Sequence, residues 1–339
     1  MTRVSFLAAG DEPEWGRFVA AFPGALLYHG VGWRNLLLDL LGCESRYLVA
    51  RGEDGAIEGV LPLMAARGPW GDVLNSLPFY GSNGGILASR EPVRAALVTR
   101  YDELAGGSAA ATLVDTPRLP PNPVTATHGD SRIGQLTPIG LESPVAESLM
   151  ASFHYKTRNA IRKAQKLGVE VSREDDGFDF LAQVHEENMA AIGGRAKPRR
   201  FFDLVPRHFE LGRDFRIHVA RLAGEPVAAL LTFRCNETVE YFTPVVREMH
   251  RETQALSLLV HDAMVEASED GLAWWNWGGT WASQDGVYRF KSRWGTQDHH
   301  YHYHVRVNEP RLRSAGREGL EAAYPFFYVL PYSILDAKS

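Results

Sequence analysis

Apolar positions recur with two periods along this chain, three to four residues in some stretches and two in others. WGRFVAAF (15–22) and VGWRNLLLDLLG (31–42) carry the helical period, and Gly42 supplies a stop signal. SRYLVAR (45–51) and IEGVLPLMAA (57–66) read as strands closed by the turn at 53–55, which makes a hairpin. A strand and a glycine-rich turn follow within 71–87. A helix with Pro92 in its first turn spans 91–105, and a strand covers 111–117. Residues 117–131 are rich in Pro, Thr and Gly and read as one long loop.

From 143 the pattern changes. Residues 143–168 read as one long helix ended by Gly168, and VEVSRE (169–174) as a strand. Helices are predicted over 178–193 and 199–212, the second ending near Pro206. Three consecutive strands span 215–246, and a helix covers 253–271. A strand runs through 272–279, a short helix or turn through 286–295, and an alternating strand through 299–307. This order is an α+β pattern with mixed central sheets flanked by helices. GAIEGVLPLM in the first part parallels GEPVAALLTF in the second, which suggests a duplicated domain.

At 339 residues the chain is long enough for two domains, expected here at 1–142 and 143–310, with a C-terminal segment, 311–339, packing back on the first. Hydrophobic residues make up 45% and charged residues 23%, which excludes a disordered chain or a coiled-coil rod. A net charge of -5 means that any nucleic-acid contact must be local. Cys43 and Cys235 lie far apart and fit no ligand spacing, so a reduced, cytoplasmic protein is the simple expectation. The N-terminus lacks the apolar stretch of a signal peptide, and no run approaches the ~20 apolar residues of a membrane helix. The apolar C-terminal stretch AAYPFFYVLPYSIL is interrupted by Pro325 and Pro331. It reads as a segment docked on a domain core, with peripheral membrane contact as the alternative.

Three motifs in sequence order carry a family resemblance. They are LLYHGVGW…YLVAR…GVLPLM…SLPFYGSNGGIL within 26–87, FHYKTRNAIRKAQKLGVEV at 153–171, and NWGGTWASQDGVYRFKSRWG at 276–295. Together the set resembles the FemAB-like acyltransferases of the GNAT superfamily and their BioF2-like relatives. The resemblance implies two tandem GNAT-like (acyl-CoA N-acyltransferase) domains with a cleft between them. It implies transfer of an acyl or aminoacyl group to an amine on a cell-envelope, peptidoglycan or polysaccharide precursor, or on a small metabolite. Acyl-CoA or aminoacyl-tRNA would be the co-substrate, with no tightly bound cofactor, and tRNA a potential partner. An acetyl-CoA-dependent sugar N-acetyltransferase and a non-catalytic precursor-binding protein are the rival readings. The sequence departs from the family pattern in three places. It lacks the helical-hairpin arm of some members. The stretch 245–256, VVREMHRETQAL, has no glycine where a GNAT pyrophosphate loop would stand. Arg34 is the only cation near Trp33, where precursor-binding members carry a lysine.

The candidate residues follow from what acyl transfer needs: aligned reactants and a group to stabilise the carbonyl oxygen. Lys291 would contact donor phosphate or the developing oxyanion, with Arg289 and Arg293 beside it; a solvated turn that buries Phe290 and Trp294 is the plainer reading. Arg158, Arg162 and Lys163, with Lys156 and Lys166, would contact donor phosphates or RNA, or form a solvated helix face. The resemblance places Arg195, Arg199 and Arg200 on acceptor phosphates, where arginine's bidentate geometry fits a small-molecule or nucleotide-linked amine acceptor. Tyr241 would orient substrate and Glu240 would accept a proton, although strand alternation lets only one of them face a cleft. Asn276, Trp281, Tyr80 and Asn83 are candidate acceptor contacts beside glycine-rich turns. His300, His302 and His304 share a strand face, but no separate Glu/His motif accompanies them, so no metal is expected.

Overall fold

Two hairpins set the framework, each an alternating apolar run closed by a tight turn. A computed structural model of the chain describes residues 2–79, 84–174, 176–281, 283–331 and 334–335. The chain divides into two compact units, 1–133 with 299–339, and 134–298. These limits replace the expected 142/143 and 310/311 boundaries, because the chain changes unit inside two strands and not in loops.

The first unit begins with β1 (Arg3–Phe6), α1 (Glu12–Ala21), α2 (Val31–Leu41), β2 (Glu44–Ser45), β3 (Leu48–Arg51) and β4 (Ile57–Leu61). It continues with β5 (Met64–Gly68), β6 (Gly71–Asn75), β7 (Leu87–Ala88), α3 (Glu91–Gly106), β8 (Ala110–Val114) and the first half of β9 (His128–Pro138). The second unit adds α4 (Val145–Ser152), α5 (Tyr155–Lys166), β10 (Val169–Arg173), α6 (Phe178–Ala191) and α7 (Arg199–His208). Then come β11 (Phe215–Leu222), β12 (Glu225–Cys235), β13 (Thr238–Val246), α8 (Ala255–Glu269), β14 (Trp274–Trp281) and α9 (Asp285–Ser292). The chain returns within β15 (Gln297–Val307) and closes with α10 (Gly316–Ala323).

In the first unit, strands run in the orders β1-β3-β4-β7 and β15-β8-β6-β5-β2. Its C-terminal residues Leu312, Leu320, Tyr324, Val329 and Leu330 share a core with Val73 and Ala110. Tyr328 anchors that segment: its backbone N–H donates to Asn75 Oδ1 at 2.7 Å, and its hydroxyl to Asp130 Oδ2 at 2.6 Å.

In the second unit the order is β10-β11-β12-β13-β14, with β9 beside β14. The strands from β10 to β13 are antiparallel, and β13 and β14 are parallel. One sheet face packs on α4, α5 and α8 through Leu149, Ile161, Leu259, Met264, Trp275 and Trp277. Helices α6 and α7 contribute the buried Leu181, Val184, Phe201 and Phe202. Both hairpins carry the same irregularity. Register shifts at Ala50/Arg51 in β3–β4 and at Ala220/Arg221 in β11–β12, leaving Glu58 and Val227 as the extra residues. A shared bulge at the same place in two hairpins supports duplication better than their weak sequence likeness does.

Four sequence expectations change. The predicted helix 143–168 is two helices, because Phe153 and His154 are extended between them. The run 57–66 is two strands, β4 and β5. The predicted loop 117–131 yields to β9 from His128. Strand β1 was not expected at all.

Candidate functional site

The parallel pair β13–β14 lasts only three positions, ending at Glu240↔Asn276. Beyond it each strand continues unpaired with the other, to Val246 and Trp281. Just past that point β13 bulges against β12: Leu231 faces Thr243 while Thr232 faces Tyr241, so Phe242 is the extra residue.

Glu240 and Asn276 lock the last pair. The Asn276 amide donates to both Glu240 oxygens at 3.1 and 3.0 Å, and its Oδ1 accepts from Gly278 N–H at 2.9 Å. Both residues are buried. With these bonds inside the protein, Glu240 holds the strands instead of serving as an exposed base, and Asn276 does the same instead of lining an acceptor pocket. Tyr241 points to the opposite face and packs on Trp277 at 4.8 Å. Burial raises its hydroxyl pKa, so it stays a neutral donor. Among the described residues no hydrogen bond engages that hydroxyl.

Lys291 lies on α9, and its side chain reaches back to β14. Its Nζ donates to Thr280 Oγ1 at 2.9 Å and Gly279 O at 3.2 Å, with Gly278 O at 3.4 Å. Gly278 has φ 72, a left-handed conformation that glycine adopts cheaply as β14 leaves its partner. Only 7% of Lys291 is exposed. Desolvation pulls its pKa down to about 8, so it remains largely an ammonium at neutral pH. Strand β9 supports the arrangement: Thr280 Oγ1 donates to Gln135 Oε1 at 3.4 Å, and Trp277 Nε1 to Thr137 Oγ1 at 2.9 Å. Phe290 stands edge-on to Trp277 at 5.9 Å, and Trp294 packs on it at 5.4 Å. Lys291, Tyr241 and Phe290 therefore gather around Trp277–Thr280. Lys291 is buried, not the solvated-turn cation of the plainer sequence reading, and Phe290 is exposed where that reading buried it.

The other predicted residues are placed as follows. Arg289 is exposed, 3.5 Å from Asp285. Arg293 is half-buried; its carbonyl accepts from His154 N–H at 2.9 Å and Thr157 Oγ1 at 3.2 Å, tying α9 to α5. Arg158 folds onto Phe153 O, while Arg162 and Lys163 point to solvent, so these α5 cations form a surface patch and not one cluster with Lys291. Arg195 is exposed on the loop leading into α7, and Arg200 is exposed in the first turn of that helix. Arg199 is held by Asp179 and Asp203, which neutralise its charge. Trp281 is half-buried at the end of β14. Tyr80 and Asn83 lie outside the described residues. His302 and His304 turn toward the buried Asp115, with His304 Nε2 at 3.1 Å from its carboxylate. No group of three or more metal-binding side chains occurs among the described residues.

Lys197 was passed over in favour of its arginine neighbours. It is half-buried with Nζ 5.0 Å from the centre of the Phe242 ring, beside the bulge. Desolvation lowers its pKa to about 8. Its backbone N–H donates to His185 Nε2 at 3.0 Å, which fixes the loop on α6. Nothing in the pattern RAKPRR distinguishes this lysine; only tertiary packing does.

The start of α8 also has a definite geometry. The first N–H groups of α8 are taken locally: Ala255 N–H donates to Thr253 Oγ1 at 3.3 Å and Ser257 N–H to Gln254 O at 2.9 Å. Gln254 itself sits at φ 63. The amides that would cradle a pyrophosphate are thus largely occupied.

The GNAT acetyltransferase domain family matches residues 151–292. A search of the curated proteins finds no match to this sequence. Among solved structures, FemX superposes with a TM-score of 0.68 at 14% identity, over 92% of this chain and 99% of that one. The C-terminal domain of a putative lysylphosphatidylglycerol synthetase from Agrobacterium fabrum gives 0.57 at 12% identity, over 95% and 99%. A tandem GNAT protein from the clavulanic acid biosynthesis pathway gives 0.51 at 14% identity, over 91% and 98%. At such identities the likeness speaks for the fold, and the family match speaks for the chemistry of the second unit. The stretch from α5 through α9, with its strands parting after one short parallel pair, carries the GNAT acetyltransferase domain of an acyltransferase, and the chain as a whole has a FemX-like fold that a tandem GNAT protein shares.

Proposed function

We propose that the second unit transfers an acyl or aminoacyl group onto an amine, using the space where β13 and β14 part. The acceptor amine attacks the acyl carbonyl and forms the C–N bond. The carbonyl oxygen takes the negative charge, and collapse breaks the ester C–O or thioester C–S bond. The amine proton leaves with the departing alkoxide or thiolate, or to water. The buried Lys291 ammonium is the observation that carries this reading, because a desolvated cation acts most strongly on charge that develops in the transition state. In this reading Tyr241 orients substrate, Arg289 and Arg293 contact donor phosphate, and Arg195 and Arg200 contact an acceptor phosphate. Trp281 offers an aromatic face to the acceptor.

The acceptor class is an amine on a cell-envelope or polysaccharide precursor, or a small metabolite. FemX and the domain of a putative lysylphosphatidylglycerol synthetase share this fold, and the second name, a lysyl group on a lipid, favours the aminoacyl reading. The locally capped α8 amides also argue against the usual acyl-CoA cradle. The GNAT acetyltransferase match favours the second reading, an acetyl-CoA-dependent sugar N-acetyltransferase.

Thermal shift separates the two readings, since a donor that binds the folded state raises its melting temperature. Purified protein is titrated with acetyl-CoA, with CoA and with a total aminoacyl-tRNA pool at low salt. The proposal expects a rise with charged tRNA that is lost in Lys291→Met. A rise with acetyl-CoA alone would transfer the assignment to the sugar N-acetyltransferase. No rise with either donor would count against both.

A further inference from the structure

Several arginines of the second unit sit beside carboxylates. Arg216 and Arg234 share Glu266 and Asp270, Arg221 pairs with Glu174, and Arg199 with Asp179 and Asp203. Helix α5 differs in composition. Its 12 residues, YKTRNAIRKAQK, contain five cations and no acid. Among the described residues no ion pair engages Lys156, Arg162, Lys163 or Lys166, and all four are exposed. At about 100° per residue, buried Thr157, Ile161 and Ala164 lie on one side, and these four cations with Tyr155 and Asn159 fill the opposite arc. The result is a bare positive face about 18 Å long on an acidic protein.

We infer that this face docks the protein onto an anionic lipid bilayer. Three observations favour a bilayer over an RNA backbone. Three of the four unpaired cations are lysines, point charges suited to a diffuse negative surface and not to bidentate phosphate recognition. The cations come from a single helix, and the depression they line, at Asn159, Arg162, Lys163, Lys166 and Leu167, is shallow and open instead of a groove walled by a second element. Its ends carry exposed apolar groups, Tyr155 at 54% and Leu167 at 48%. The neighbouring α9, hydrogen-bonded to the start of α5, exposes Val287 and Phe290 as well. Such groups gain by entering a headgroup boundary and gain little from phosphates. The inference concerns a surface and stands whichever donor the enzyme uses.

The test is co-sedimentation of the full chain with vesicles of phosphatidylcholine alone and with added phosphatidylglycerol. Binding is expected only with the anionic lipid, and it should fall steeply with salt. Each exposed cation contributes roughly five-fold near such a surface, so Lys156→Gln/Lys166→Gln should weaken partitioning about 30-fold. Both positions are exposed, and an unchanged melting temperature verifies the fold. Tyr155→Ser should weaken the part of the binding that survives high salt. Failure of the wild-type chain to sediment with anionic vesicles overturns the inference. So does a double variant that sediments like wild type, or retention of bulk tRNA without retention of vesicles.

Discussion

Replacing Lys291 by Met keeps most of the side chain's bulk and removes one buried charge. In the folded chain the ammonium has a pKa of about 8 against 10.5 unperturbed. The difference means that carrying the proton in the folded state costs about 3 kcal/mol at neutral pH. Because the folded-state pKa is lowered, the native form releases its proton first. Between pH 8 and 10.5 the unfolded chain then binds more protons, so this group makes stability rise with pH in that window. The assay is urea unfolding of wild type and Lys291→Met at several pH values, followed by tryptophan fluorescence. Trp274, Trp275, Trp277, Trp281 and Trp294 all lie in the second unit and report on it. The difference in stability between the two proteins should shift by about 3 kcal/mol in favour of wild type across the window. If Lys291 serves as proposed, the rate of acyl transfer should move the opposite way and fall above about pH 8, as its ammonium is lost. Parallel stability curves for the two proteins, or a rate that rises through pH 8, would refute the reasoning.

Other expectations test the scaffold. Asn276→Ala leaves the buried Glu240 carboxylate without its amide donor and should cost about 2 kcal/mol, read as a lowered melting temperature. Gly295→Ala forces a side chain onto φ 68 with its Cβ 3.2 Å from Ser152 O; a loss of about 1–3 kcal/mol is expected, and unchanged stability would contradict the backbone described. Burial alone would raise the Glu266 carboxyl, but His218, Arg216 and Arg173 more than offset it and hold it near 2. That stability is present above the ordinary carboxyl pKa of 4.5 and lost as pH falls toward 2. Glu266→Gln should therefore flatten the acid limb of the stability curve.

Much of the second unit could be read from periodicity. The strands of 215–246 and the helix after them stand out because the centre of β12, from Val227 to Phe233, is a continuous buried run and α8 repeats its buried apolar residues with a helical period. Strand β9 was hidden because its first residues, His128, Gly129, Asp130 and Ser131, have loop chemistry, and only its neighbours make it a strand. Strand β1 is four residues long at a sheet edge, too short for a period to show. The break at Phe153–His154 is fixed by a long-range contact, the His154 N–H donating to Arg293 O just past α9. At the site, the G-V-Y-R-F-K stretch marks Lys291 in advance. Its burial depends on β14 turning at Gly278, which no local pattern reveals. The same applies to Glu240 and Asn276, whose pairing joins positions 36 residues apart.

The most direct measurement is transfer itself. Radiolabelled acyl donors, a total aminoacyl-tRNA pool and acetyl-CoA, are incubated in turn with simple amine acceptors and wild-type or Lys291→Met protein. The account predicts labelled amide from wild type and a turnover about 10²–10³-fold lower in the variant, the loss expected for one oxyanion donor. Equal turnover by both proteins would contradict the central claim that the buried Lys291 ammonium serves acyl transfer where β13 and β14 part.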